Sequence, residues 1–145
     1  MKTRLIGLAL LALGSPLAAE MLSPDMGDFK AEGSWTDQDG HLGQWRAEGK
    51  LLGGRFAGSL VMEMAGVTRT LTLVPARAAL SRGSCVLAGE NARNRVELRG
   101  TCSDSAIGPG SVSGRIDGHA LRGKFEGKLA AGPALTPAPP KAQRR

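Results

Sequence analysis

Over long stretches of this chain every second residue is apolar or glycine, and the residue between is polar or charged. The pattern is clearest in Leu121-Arg122-Gly123-Lys124-Phe125-Glu126-Gly127-Lys128-Leu129. The earlier stretch Leu52-Gly53-Gly54-Arg55-Phe56-Ala57-Gly58-Ser59-Leu60 repeats it as Leu-x-Gly-(Arg/Lys)-Phe-x-Gly-x-Leu. A period of two belongs to a strand with one buried face. The same alternation puts Phe29, Ala31, Gly33 and Trp35 on one face of a first strand, and Trp45, Ala47, Gly49 and Leu51 on one face of a second. A third carries Phe56, Gly58, Leu60, Met62 and Met64, and a fourth Val67, Arg69, Leu71 and Leu73, which Pro75 ends.

Turn residues separate these runs. At Asp37-Gln38-Asp39-Gly40, a three-residue loop with Gly40 in the left-handed region keeps Trp35 and Trp45 on one face as diagonal neighbours. A two-residue turn would put them on opposite faces. Leu52-Gly53-Gly54 and Ala65-Gly66 turn the chain again, and Ala76 to Arg82 reads as one helical turn or a short strand. Farther on, Ser84 to Glu90 and Asn94 to Cys102 alternate as a hairpin. Setting Cys85 opposite Cys102 places Leu87 against Gly100 and Gly89 against Leu98, with Arg93-Asn94 as the turn. Ser111 to Ile116, Asp117-Gly118 and His119 to Leu129 form the last hairpin around a type I′ turn. There Ile116 faces His119, Gly114 faces Leu121, Val112 faces Gly123 and Gly110 faces Phe125. The inward glycines at 49, 58, 100, 114 and 123 leave room inside; in these two hairpins, large residues set opposite small ones fill the space. The expected fold is all-β, an antiparallel meander of about eight strands forming a small up-and-down β-barrel, with a two-sheet sandwich as the alternative and one disulfide.

Composition marks off the two ends. Residues 1–19 begin with Lys2 and Arg4, continue through an apolar run from Leu5 to Leu13 and close on small residues, as a secretory signal peptide does. The apolar run is about half the roughly 20 residues that span a bilayer. Residues 130–145, rich in Pro and Ala with Lys141, Arg144 and Arg145 at the tip, read as a disordered basic tail. Residues 20–129 remain as a single β domain, and export points to a periplasmic or secreted location. It also favours a Cys85–Cys102 bridge over free thiols.

The net charge of +6 suggests nucleic acid, but its distribution does not. Of 19 basic residues, two fall in the leader and three in the tail, so the body holds fourteen against all 13 acids. Export and the scarcity of aromatic residues exclude nucleic acid further. The second half is nevertheless basic, with ten cations against five acids between Met64 and Leu129. Arg95 and Arg99 of one hairpin, with Arg93 at its turn, and Arg115, Arg122, Lys124 and Lys128 of the next project from outward faces. They are the candidate residues for binding an anionic partner.

Other chemistry finds little support. Asp37, Asp39 and Glu48 suggest a calcium loop, but Leu42 stands where that loop needs glycine. Met62 and Met64, with Met21 and Met26 upstream, suggest a soft-metal site, yet two methionines continuing an apolar strand face read more simply as core. His41 and His119 have no nucleophile and orienting group beside them in sequence, and no histidine cluster offers zinc ligands. Glu90 and Glu97 fall on an outer face without a cleft. No cofactor and no metal are expected. Charged outward faces also argue against an outer-membrane barrel. The expectation is an exported, non-enzymatic binding or scaffolding module of the cell envelope, not membrane-spanning, whose partner is an envelope protein or an anionic glycan or lipid. The alternatives are a carrier of a small apolar ligand and a small periplasmic enzyme inhibitor.

Overall fold

The computed structural model describes residues 22–130, which form nine antiparallel strands and no helix. The signal peptide read over 1–19 and nearly all of the tail lie outside these residues. The strands are β1 (Gly27–Asp37), β2 (Leu42–Leu52), β3 (Arg55–Met64), β4 (Val67–Leu73), β5 (Ala79–Ser81), β6 (Ser84–Glu90), β7 (Arg95–Cys102), β8 (Ala106–Ile116) and β9 (His119–Ala130). β1 pairs with both β2 and β9, so the meander closes into an eight-stranded barrel and β5 is an extra strand at one end. The barrel therefore stands and the sandwich does not. β9 continues through Ala130, one residue into the stretch read as tail.

The hairpins follow their turn residues. The β1–β2 loop is the three-residue form with Gly40 at φ 89°, and Trp35 and Trp45 are diagonal neighbours, each paired with a glycine. Gly53-Gly54, Ala65-Gly66 and Asp117-Gly118 are two-residue turns with both φ values positive, the type I′ form whose twist matches that of the strands. The first copy of the Phe-Gly repeat thus straddles a turn, and Leu52 is exposed, whereas the second copy is strand throughout. The ambiguous stretch after β4 contains both of the structures expected as alternatives. Ala78 N–H bonds to the Val74 carbonyl across one helix-like turn, and β5 follows. β8 begins earlier than its alternation suggests, because Pro109 sits at a bulge where the register shifts.

One register needs correction. Cys85 faces Gly100, not Cys102, and Leu87 faces Leu98, so the hairpin is slipped by two residues from the direct pairing. The cause is the connection. Glu90 pairs with Arg95, and Asn91 Oδ1 accepts from the N–H groups of both Arg93 and Asn94, which stabilises a four-residue loop in place of an Arg93-Asn94 turn. A slip of two preserves every face, and the Cys85–Cys102 disulfide forms diagonally with the Cα atoms 5.9 Å apart.

The two ends of the barrel differ. At the base, Leu22 and Ala78 are buried, β5 bridges β3 to β6 below the point where β4 stops, and the disulfide joins β6 to β7. The centre is filled by Trp35, Trp45, Phe29, Phe56, Leu60 and Leu98, with Phe29 edge-on to Phe56 and Trp45 edge-on to Phe125. The glycines act differently from the expected large-against-small pairing. Gly110, Gly114 and Gly123 do face Phe125, Val96 with Leu121, and Val112, but what forbids a side chain there is backbone. A Cβ on Gly123 would run into the Thr36 carbonyl, and Gly49 and Gly58 press their backbones together in the same way.

Two outcomes follow for stability. Gly123→Ala should cost about as much as Gly123→Val, on the order of 1–3 kcal/mol, because the first added carbon already meets the Thr36 carbonyl. Urea unfolding in which alanine is tolerated and valine is not would instead locate the crowding at Val112. Replacing both cysteines with serine should cost about 2–4 kcal/mol by releasing the loop that the bridge closes, and nonreducing peptide mapping of the parent should recover Cys85 joined to Cys102.

Candidate functional site

The expected cationic face is assembled by the pairing of β7, β8 and β9. Arg95 lies beside Arg115, Glu97 lies beside Ser113 and across it Arg122, and Arg99 lies beside Ser111 and across it Lys124. Two serines thus separate the rows of charge, and all five cations are exposed. Arg93 sits on the β6–β7 loop at the edge of this face. Lys128 is placed apart, opposite Glu32 of β1 in an outer groove of about 860 Å³ that also carries Glu63, Glu126 and Arg46.

Acidic side chains compensate this face only in part. Arg99 reaches Glu97 at 3.0 Å and Arg95 reaches Glu90 at 3.4 Å, while Glu90 is already held by Arg77 at 2.7 Å. Exposed pairs of this kind contribute little to stability and exchange readily with other anions. Arg115 donates to the Gly118 carbonyl, and Arg122 and Lys124 make no ion pair among the described residues.

A second site, which the sequence reading did not assemble, lies at the open end opposite the disulfide. A cavity of about 570 Å³ there has Met62, Met64, Ile116 and Leu121 on its walls and His41, His119, Asp39, Arg69 and Asp117 around its rim. The rim is built from the β1–β2 and β8–β9 turns and from the strands β4 and β9 beside them. Asp37 Oδ1 accepts from the N–H groups of Asp39 and His41, and its Oδ2 lies 2.9 Å from His41 Nδ1. Arg69 reaches Asp117 at 3.0 Å, and Asp117 N–H donates to Asn94 Oδ1, which ties the β6–β7 loop to the β8–β9 turn. In sequence His41 is a residue beside a turn and His119 begins a strand. The available signal was parity: 41 continues the inward series 43 and 45, and 119 continues 121 and 125.

Burial alone would raise the Asp37 carboxyl. The hydrogen bonds from the His41 backbone and ring and from the Asp39 N–H, together with the charge on the imidazole, hold it below its ordinary value of 3.8. Trp35 Nε1 is the one buried side-chain donor without a partner among the described residues.

No family model, no curated protein and no solved structure matches the chain.

A pH dependence with a definite sign follows for the β1–β2 loop. A carboxylate held ionised by the fold stabilises it above the unfolded value, and that contribution is lost as pH falls through the lowered folded value. Amide protection at Asp39 and His41 should hold down to pH near 3.8 and fall below it. Asp37→Ala should abolish that step and lower Tm; protection that survives in this variant would show that the loop stands without the carboxylate.

Proposed function

We propose that this chain is an exported, non-enzymatic binding module of the cell envelope that recognises an anionic partner through the outer face of β7, β8 and β9. The observation that carries the proposal is the grouping of Arg95, Arg99, Arg115, Arg122 and Lys124 on three adjacent strands, interrupted by serines and a single glutamate. Cations at strand spacing on a rigid sheet form a fixed lattice of charge. Such a lattice steers an anionic polymer or membrane surface in at long range and engages several of its charges together. Export is supported by the leader-like sequence and by the disulfide. No helix among the described residues is long and apolar enough to cross a membrane. The outward faces carry charge, as at Lys30, Glu48 and Arg46, where a lipid-facing band would be apolar.

The alternative of an apolar-ligand carrier has the mouth cavity in its favour. Against it, the barrel interior below the mouth is occupied by Trp35, Trp45, Phe56, Leu60 and Leu98, each at most 2% exposed, so a ligand would be held at the rim and not enclosed.

Vesicles carrying lipopolysaccharide, with neutral phospholipid vesicles as control, test the proposal. Binding should be strong at low ionic strength and fall steeply as salt rises past about 0.15 M, where the Debye length is about 8 Å. Combined Arg99→Glu, Arg122→Glu and Lys124→Glu should abolish it with the circular dichroism and Tm unchanged. Binding that persists through both the reversals and the salt would sink the proposal. A stoichiometric small molecule found by native mass spectrometry would favour the carrier.

A further inference from the structure

The chain has two histidines, 78 positions apart in sequence, and both line the mouth cavity together with Met62 and Met64. Three features make this more than a coincidence of composition. Met64 pairs with Gly43 across β2 and β3, and His41 precedes Gly43 by two residues, so the two are placed diagonally, and both line the cavity. Diagonal neighbours lie about 7–8 Å apart, within reach of long side chains. His119, paired with Ile116, closes the set from β9 on the same cavity. Finally, Asp37 engages His41 Nδ1 at 2.9 Å while being fixed itself by two backbone N–H groups. That leaves Nε2 as the free nitrogen of an oriented ring, the arrangement in which a carboxylate supports a metal-ligating histidine.

We propose that the barrel mouth binds a soft transition-metal ion, copper(I) fitting best, through His41 Nε2 and the thioether sulfurs of Met64 and Met62, with His119 as a further ligand. Donor chemistry selects the ion. Thioethers are poor ligands for magnesium and calcium and weak ones for zinc, whereas imidazole with thioether suits copper(I). Asp117 is drawn away by Arg69, and Asp37 is engaged by His41 Nδ1 and two backbone N–H groups, which leaves Asp39 as the harder donor of the rim without such a hold. Both cysteines are joined at the base, so no thiolate competes for the ion. The other methionine on the described residues, Met26, packs against the core at the base and belongs to no such set. The site is separate from the cationic side face, and its test is independent of the proposal above.

The experiment is titration of the full chain with copper(I) against a chromogenic copper(I) chelator. Ascorbate serves as the reductant, so that the disulfide stays intact. One equivalent of copper(I) should be withdrawn from the chelator. His41→Gln and Met64→Leu should each weaken binding by about tenfold or more, as should Asp37→Asn acting through His41, while Met26→Leu should leave it unchanged. Methionine-methyl NMR of the unaltered protein gives a readout that needs no variant: the Met62 and Met64 signals should shift on adding copper(I), and the Met26 signal should not. The proposal is overturned if copper(I) stays with the chelator, if the variants bind as the parent does, or if the Met62 and Met64 signals do not move. One equivalent of zinc(II) bound in preference, with an affinity that Met64→Leu does not change, would overturn it too by assigning the mouth to Asp37, Asp39 and His41.

Discussion

Closing so few strands into a barrel forces neighbouring backbones together on the inside, and the rest of this structure depends on where glycine permits that approach. Gly33 and Gly127 meet across the β1–β9 seam, Gly49 meets Gly58, and Gly100 meets Gly110. At each of these a Cβ would collide with a carbonyl or a Cα of the adjacent strand. The space beside the thin strands is then taken by the largest side chains. Trp45 lies over Gly127 and donates from Nε1 to the Glu126 carbonyl, and Trp35 lies over Gly43. Glycine and tryptophan are thus two parts of one device, in which the backbone bends where nothing projects and an indole covers the bend.

That device makes the barrel narrow and full, and so moves any binding chemistry to the surface. What is left for function is the outer face, where alternation sets polar residues on most strands, and the two ends. The base is occupied by apolar side chains, a disulfide and an extra strand. The mouth is held by polar links among β4, the β6–β7 loop and the β8–β9 turn: Arg69 to Asp117, Asn94 to Asp117, and Asn91 Nδ2 to the Thr70 carbonyl. Between β4 and β6 only Thr72 with Glu90 and Leu73 with Gly89 pair directly. Near the mouth this seam therefore relies on side chains for its closure. Regions held by exposed polar links open at lower free energy than a packed core, so the end that carries the histidines is also the adaptable one.

Much of this was legible in the sequence because strand alternation is a strong signal and the turn residues are specific. The final hairpin reads correctly to the residue pair, and so does the relation of Trp35 to Trp45. What alternation cannot supply is translation by two residues, since such a slip changes no face; the Cys85 hairpin was misaligned for this reason, and the capping by Asn91 that decides it is a local hydrogen-bond effect. Periodicity also hides why a position is glycine. Gly123 opposite Val112 looks like space given to a side chain, whereas the limiting neighbour is a carbonyl on β1, a strand almost ninety residues earlier. The cationic strands were readable because neighbours in sequence became neighbours in space. The mouth was not, because His119 of β9 is brought to His41 and Met64 only by closure.

The pairing of β1 with β9 has a consequence for the order in which the molecule can form. The first and last strands of the barrel are partners, and the Trp45 to Glu126 hydrogen bond alone spans 81 residues. Each hairpin can form as its second strand arrives, but the seam cannot close until the end of β9 is present, and loop-closure entropy opposes it until then. Until β9 is complete, β1 lacks one of its two partners, and the strand that carries Phe125 against Trp45 is missing. Threading an unfolded chain through a narrow pore is compatible with such a topology, because the native state becomes accessible only after the last strand has passed.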